Sequence, residues 1–177
     1  MDLKVRELIS KDIPHIVAYW HTSPSDFLEG MGVDLTKLPS RESLSKMLTN
    51  QLALPIKERA SYALIWECDG VAVGHSNVNA IRYGQQANIH LHLWTTSYRK
   101  RGMGTELVKK SLPFYFNNLK LQRLICEPYA LNPAPNKTLE KVGFTYEKTY
   151  RTIPGSLNFE QDVCRWVLDR ERFKVLL

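Results

Sequence analysis

The chain has 177 residues, of which 44% are hydrophobic and 24% charged, with a formal net charge of +6. These proportions are ordinary for a folded soluble chain long enough for one sizeable core, and no apolar run reaches the length of a membrane span. The opening Met1-Asp2-Leu3-Lys4 has no signal-peptide character, and Cys68, Cys126 and Cys164 are odd in number and irregular in spacing, which argues against a disulfide framework or a zinc site and for reduced thiols in the cytoplasm.

Leu3 to Ile9 alternates apolar and charged residues and reads as a first strand. Ser10 or Asp12 can cap a following helix with Pro14 in its first turn, and Ile13, Ile16, Val17 and Trp20 give that helix an apolar face. His21 to Gly32 reads as loop. Ser40 is an N-cap candidate for a second helix, with Leu44, Met47, Leu48 and Leu52 at helical spacing until Pro55. Ser61 to Glu67 and Val71 to Ile81 form a strand pair around Asp69-Gly70, a hairpin signal. After the turn Tyr83-Gly84-Gln85-Gln86, a central strand runs from Asn88 to Trp94. A helix from Thr105 to about Asn117, a strand from Leu121 to Glu127 and a Pro/Asn-rich connector from Pro128 to Pro135 follow. Lys137 to Val142 is helical and stops at Gly143, a C′ glycine. Phe144 to Ile153 and Phe159 to Leu168 are two last strands around Pro154-Gly155-Ser156, and the tail is charged and then apolar. No linker or repeat interrupts residues 1–177, so the expectation is one domain of α+β, or mixed α/β, class with about seven strands and about four helices.

Excess positive charge points to a polyanionic ligand, a phosphorylated cofactor or nucleic acid. The basic residues are spread along the chain and no basic run is interleaved with aromatics, which favours the cofactor. The stretch that could hold it is Arg99-Lys100-Arg101-Gly102-Met103-Gly104-Thr105, between the central strand and its helix. Orphan N–H groups and the dipole of a helix N-terminus attract anions, and glycines let a phosphate approach the backbone. The alternative is an ordinary loop with solvated charges. A Rossmann fingerprint needs glycine where Lys100 and Thr105 stand, and a Walker A loop needs a Gly-Lys-Ser/Thr that is absent. In the central strand, Ile89, Leu91 and Leu93 share one face, which should pack on the long helix. Asn88, His90, His92 and Trp94 share the other.

Arg99-x-x-Gly102-x-Gly104 directly after a strand, together with Asn132-Pro133-Ala134-Pro135 and then Leu139-Glu140-Lys141-Val142-Gly143-Phe144, resembles the paired motifs of the GCN5-related N-acetyltransferase (GNAT) superfamily, and the order of elements resembles that fold over nearly the whole chain. The resemblance implies a largely antiparallel seven-stranded sheet flanked by about four helices, and acetyl-CoA as cosubstrate with no metal. Main-chain N–H groups of Lys100, Arg101, Gly102, Met103, Gly104 and Thr105, flanked by Arg99, would hold its pyrophosphate. Leu93, Trp94 and Thr95, where the strand ends, would meet the pantetheine arm much as a peptide adds to a sheet edge. Asn132 and Lys137 would touch the arm and a phosphate.

The partners implied are acetyl-CoA and an amine acceptor, with neither membrane nor nucleic acid, and with a homodimer compatible but not read from the residues. The face of His90 and His92 would look toward the acceptor. The run Ile89-His90-Leu91-His92-Leu93 is similar to the siderophore-type branch, although Tyr129 stands where that branch has Asp after Glu-Pro. His90, titrating near neutrality, is then the first base candidate and His92 the second. The oxyanion would be met by a main-chain N–H near Leu93 or Trp94. Leu139 occupies the position of the usual acidic Tyr. The ribosomal-protein and peptide N-terminal (RimJ/RimL-like) branch often has Leu there, with Ser where Pro135 sits, so Tyr129, Tyr146 or water would have to protonate the leaving thiolate. A non-catalytic, regulatory CoA-binding module is the alternative function. Asp26, Glu29, Asp34 and Glu42 are carboxylates that a cationic acceptor could meet.

Overall fold

The computed structural model describes residues 1–98 and 102–176. The strands are β1 (Leu3–Glu7), β2 (Tyr62–Cys68), β3 (Val71–Arg82), β4 (Gln86–Leu93), β5 (Arg123–Cys126), β6 (Thr145–Thr152) and β7 (Gln161–Asp169). The helices are α1 (Ile13–Thr22), α2 (Ser25–Gly30), α3 (Arg41–Ala53), α4 (Met103–Pro113), α5 (Pro133–Val142) and α6 (Arg170–Leu176). Asp69 and Gly70 both take positive φ (51° and 80°), the twist-matched turn that closes the β2–β3 hairpin. Ser40 caps α3, its Oγ accepting the Ser43 N–H at 3.1 Å.

The strands form a seven-stranded sheet in the order β1-β2-β3-β4-β5-β7-β6. Neighbours are antiparallel except β4 and β5, whose parallel ladder runs from Gln86↔Arg123 to Asn88↔Ile125 and then stops while β4 continues to Leu93. The strands therefore part company at the level of Ile89.

Alternation along β4 turns Ile89 into the main core with Leu107, Val108 and Leu112 of α4 and Leu139 and Val142 of α5, and Leu91 and Leu93 pack against it. On the opposite face Ala63 and Ile65 of β2 pack with Ile13, Ile16 and Val17 of α1 and Leu44 and Leu48 of α3. The C-terminal half of α1 reaches over β3 and β4, where Tyr19 and Trp20 pack against His75 and His92.

Some element bounds differ from expectation. The stretch His21 to Gly32, expected as loop, holds the end of α1 and all of α2, and the tail from Arg170 forms α6, so that six α-helices among the described residues roughly fit the number expected. Both α2 and α6 are under eight residues and show too few turns for a periodic stripe. The long helix begins at Met103, and Pro113, which has no N–H to give, leads into a π turn over Phe114–Asn118. α5 starts at Pro133, earlier than the expected Lys137, because proline is suited to a first helical turn.

Candidate active site

At the start of α4, Gly102 is the N-cap with φ 73°, a left-handed conformation that glycine adopts without strain. The N–H groups of Met103, Gly104 and Thr105 belong to the first turn of α4, at the positive end of its dipole, and the Gly102 N-cap offers no side-chain acceptor. Among the described residues a Cβ on Gly104 would make ordinary contacts with Leu93 Cδ1 and Thr138 Oγ1, each at 3.9 Å, and Gly104 lines a cavity. Met103's side chain is buried in the core, leaving only its backbone for a ligand. Arg99, Lys100 and Arg101 lie outside the described residues. Thr95 is exposed at the strand end, its Oγ1 3.2 Å from Ser97 Oγ, and Lys137 is exposed on α5.

From Gly104 a cavity of about 400 Å³ runs through the gap where β4 and β5 part. Asn132, at the N-cap of α5, lines one side of it. His92 lies across the gap, and Tyr19, Asp26 and Phe27 close the far end. The Trp94 N–H donates to the Val73 carbonyl at 2.9 Å. Gly74 pairs with Leu93 next along the ladder, and alternation then turns the backbone groups of Leu93 and Leu91 away from β3 and toward the gap. Trp94's amide is thus committed to the sheet, which removes one of the two oxyanion donors expected. Gly74 is needed where it stands, because a Cβ would lie 2.4 Å from the His92 carbonyl oxygen.

The second face of β4 carries a nest of imidazoles. His75 of β3 pairs across the ladder with His92, and the rings stack at 4.5 Å with planes 19° apart. Trp94 Nε1 donates to His75 Nδ1 at 2.7 Å. His92 Nδ1 lies 3.1 Å from the Tyr19 hydroxyl, whose oxygen is 3.6 Å from Met31 Sδ. Burial, and secondarily the neighbouring imidazoles, hold His92 well below the usual histidine range and push His75 down to about 3. His90 Nε2 lies 3.0 Å from Asn79 Oδ1, to which it donates. Burial brings His90 down to about 4 against the opposing pull of the Glu127 carboxylate. Glu127 is itself held by Arg165 at 2.8 Å. Burial thus disfavours the imidazolium form of all three rings and shifts them below the near-neutral range expected of His90 and His92.

His92 and Asn132 therefore meet in one cleft with Gly104, whereas His90 is engaged by Asn79 along the same strand face. Tyr129 is half-buried and bridges Val163, its ring edge-on to Phe159 at 5.7 Å and its carbonyl accepting from Asn132 N at 3.0 Å and Asn136 Nδ2 at 3.2 Å. Leu139 is fully buried in the core and Pro135 lines the cleft, so neither offers a proton there. Cys126 donates to the Ile89 carbonyl at 3.1 Å, and burial pushes its thiol up, away from nucleophilic use. Asp34 is occupied by Thr36 and Lys37, while Asp26 lines the cleft. Among the described residues no cluster of His, Cys, Asp and Glu could hold a metal ion.

Sequence reasoning missed Tyr19 and His75. The turn after β3 would set the pairing, but a bulge between Asn79 and Arg82 shifts the register by one, so counting back from the turn puts Ser76 rather than His75 opposite His92. Tyr19 sits beside Trp20 on a helix whose apolar face accounts for both, and only the helix's seat over β4 brings its hydroxyl to an imidazole.

The chain resembles solved acetyltransferase structures over almost its whole length. The Vibrio cholerae spermidine N-acetyltransferase, in complex with CoA and spermine, superposes with a TM-score of 0.78 at 17% identity, covering 97% of this chain and 98% of that one. The ribosomal L7/L12 α-N-protein acetyltransferase RimL, in complex with coenzyme A, gives 0.77 at 17% identity, with 96% and 95% covered. At such identity the likeness carries the fold. No curated protein sequence matches the chain significantly. The model of the acetyltransferase (GNAT) domain matches residues 2–145, and the chain belongs to the GNAT acetyltransferase family.

Proposed function

We propose that the chain transfers the acetyl group of acetyl-CoA to a primary amine of a small molecule or peptide, with both substrates meeting in the cleft between β4 and β5. The observation that carries this reading is the continuity of that cleft. One end is the α4 N-terminus at Gly104, and the other is a pocket of Tyr19, Phe27, His92 and the carboxylate of Asp26. A diphosphate fits the first end, because the helix start supplies first-turn N–H groups beside a glycine that lines the cavity. The backbone of Leu91, turned into the gap, suits an amide-bearing arm laid alongside β4. Asp26 and the aromatic rings suit an alkyl ammonium group. Its neighbours in fold include enzymes named for a polyamine and for a ribosomal protein's α-amine, which supports an amine acceptor for this chain too.

Thiol release from acetyl-CoA, followed with a panel of polyamines, aminoglycosides and peptides with free N-termini, tests the activity. Amine-dependent release is expected with at least one class. Acetyl-CoA binding without release for any class would favour a CoA-binding module instead.

A further inference from the structure

The cleft holds a hydroxyl and an imidazole in contact, away from the position filled by Leu139. Its lining contains a hydroxyl aimed at sulfur: Tyr19 Oη lies 3.6 Å from Met31 Sδ and 3.1 Å from His92 Nδ1. If the hydroxyl hydrogen goes to the thioether, the shorter contact is a bond in which His92 Nδ1–H donates to the Tyr19 oxygen. Nε2 of the same ring then carries a lone pair. Thr138, the other hydroxyl of the lining, is committed to the Ala134 carbonyl at 3.0 Å. Tyr19 is 5% exposed, and its ring is held edge-on by Trp20 at 5.3 Å and by Phe27 at 6.4 Å, so its hydroxyl is placed by packing.

We propose that Tyr19 and His92 form a neutral proton relay in which His92 Nε2 takes the proton of the attacking amine and the Tyr19 hydroxyl protonates the leaving thiolate. This rests on the acetyl-transfer reading above. As the amine nitrogen bonds the acyl carbon and the C–S bond breaks, the nitrogen's proton passes to His92 Nε2, His92 Nδ1–H passes to the Tyr19 oxygen, and Tyr19 O–H passes to sulfur. The electron pair of the broken bond stays on the sulfur that receives the proton. His92 ends as the other neutral tautomer and Tyr19 ends unchanged. The amine enters as the free base, its first proton having gone to solvent. Met31's thioether is a weak acceptor, so a thiolate displaces it readily. The path needs no imidazolium, which suits a ring whose cationic form burial penalises. A phenol and an alkyl thiol ordinarily titrate within about two units of each other, so the last transfer is close to balanced.

Tyr19→Phe keeps the ring and removes the hydroxyl. Turnover is expected to fall about a hundredfold, in the range of acid–base contributions, while the acetyl-CoA dissociation constant by calorimetry stays within twofold. Nitrogen-15 spectra, assigned with His92→Gln, should show His92 protonated at Nδ1 in the wild type and shifted toward the Nε2–H tautomer in Tyr19→Phe. An active wild type with Tyr19→Phe turning over within threefold of it overturns the relay and leaves the acetyl-transfer reading standing. A wild type that binds acetyl-CoA but acetylates no amine overturns that reading. A wild-type His92 protonated at Nε2 overturns the relay whatever the rates, and this measurement decides the matter even if Tyr19→Phe does not fold.

Discussion

Gly74 lies so close to the His92 carbonyl that a methyl group cannot be added without moving one strand: the ideal Cβ would sit 2.4 Å from the oxygen. That approach seats His75 and His92 against each other across the ladder and leaves the Leu91 and Leu93 backbone facing the gap. Gly74→Ala is expected to cost about 1–3 kcal/mol by overpacking, read as a lowered thermal midpoint, and to weaken turnover more than acetyl-CoA binding. An unchanged midpoint would show that the approach is not as tight as described.

His75 gives the protein a sensitivity to acid. Its pKa is about 3 when folded and about 6.5 when unfolded, so between those values the unfolded chain binds the extra proton and stability falls as pH falls. From pH 6.5 to 5 the loss from this residue is roughly 2 kcal/mol, at 1.36 kcal/mol per unit. His75→Gln keeps an acceptor for Trp94 Nε1 and cannot titrate. Urea midpoints at pH 7 and pH 5 should differ clearly more in the wild type than in the variant, and equal differences would contradict the burial of a neutral ring.

For catalysis the same physics removes an inflection. With His90 at about 4, its ring is neutral throughout pH 5.5 to 7.5, and kcat/KM for the amine should follow only the rising free-amine fraction there. Wild type and His90→Gln should therefore give pH profiles of the same shape, with matched amine and ionic strength. A wild-type inflection near 6.5 that the variant lacks would mean that His90 is hydrated when substrate is bound.

Asp26 is the exposed carboxylate at the end of the cleft proposed for the acceptor, its Oδ1 accepting the Phe27 N–H at 2.9 Å. Asp26→Asn should raise KM for a cationic amine about fivefold, as an exposed pair of about 1 kcal/mol does, with kcat and acetyl-CoA affinity nearly unchanged. No change in KM, measured at low salt, would remove Asp26 from acceptor binding.

The fold was legible wherever local chemistry and periodicity agreed. Ser40 caps, the Asp69-Gly70 turn and the alternation of Ile89 and His90 each have a short-range cause, and Gly102 and Gly104 stand where a strand meets a helix. The short α2 and α6 lacked enough turns to show a face. Within the site, the glycine-bearing helix start and the face of β4 that carries His90 and His92 could be read directly. The Tyr19–His92 contact could not, because it depends on how α1 sits over the sheet, nor could the His75–His92 stack, which a bulge places one residue away from the simple pairing. The downward shift of the histidines could not be read either, because the depth of burial is a property of packing.

Acetyl transfer by this chain requires that acetyl-CoA bind at the α4 N-terminus and in the cleft beside it. Isothermal calorimetry of acetyl-CoA with wild type and Gly104→Val measures this. The added side chain starts 3.9 Å from its nearest neighbours among the described residues, so the variant should fold while its isopropyl group enters the cavity at the helix start. The dissociation constant should rise at least about tenfold, or 1.4 kcal/mol. A folded Gly104→Val protein that binds acetyl-CoA as tightly as the wild type would contradict the assignment.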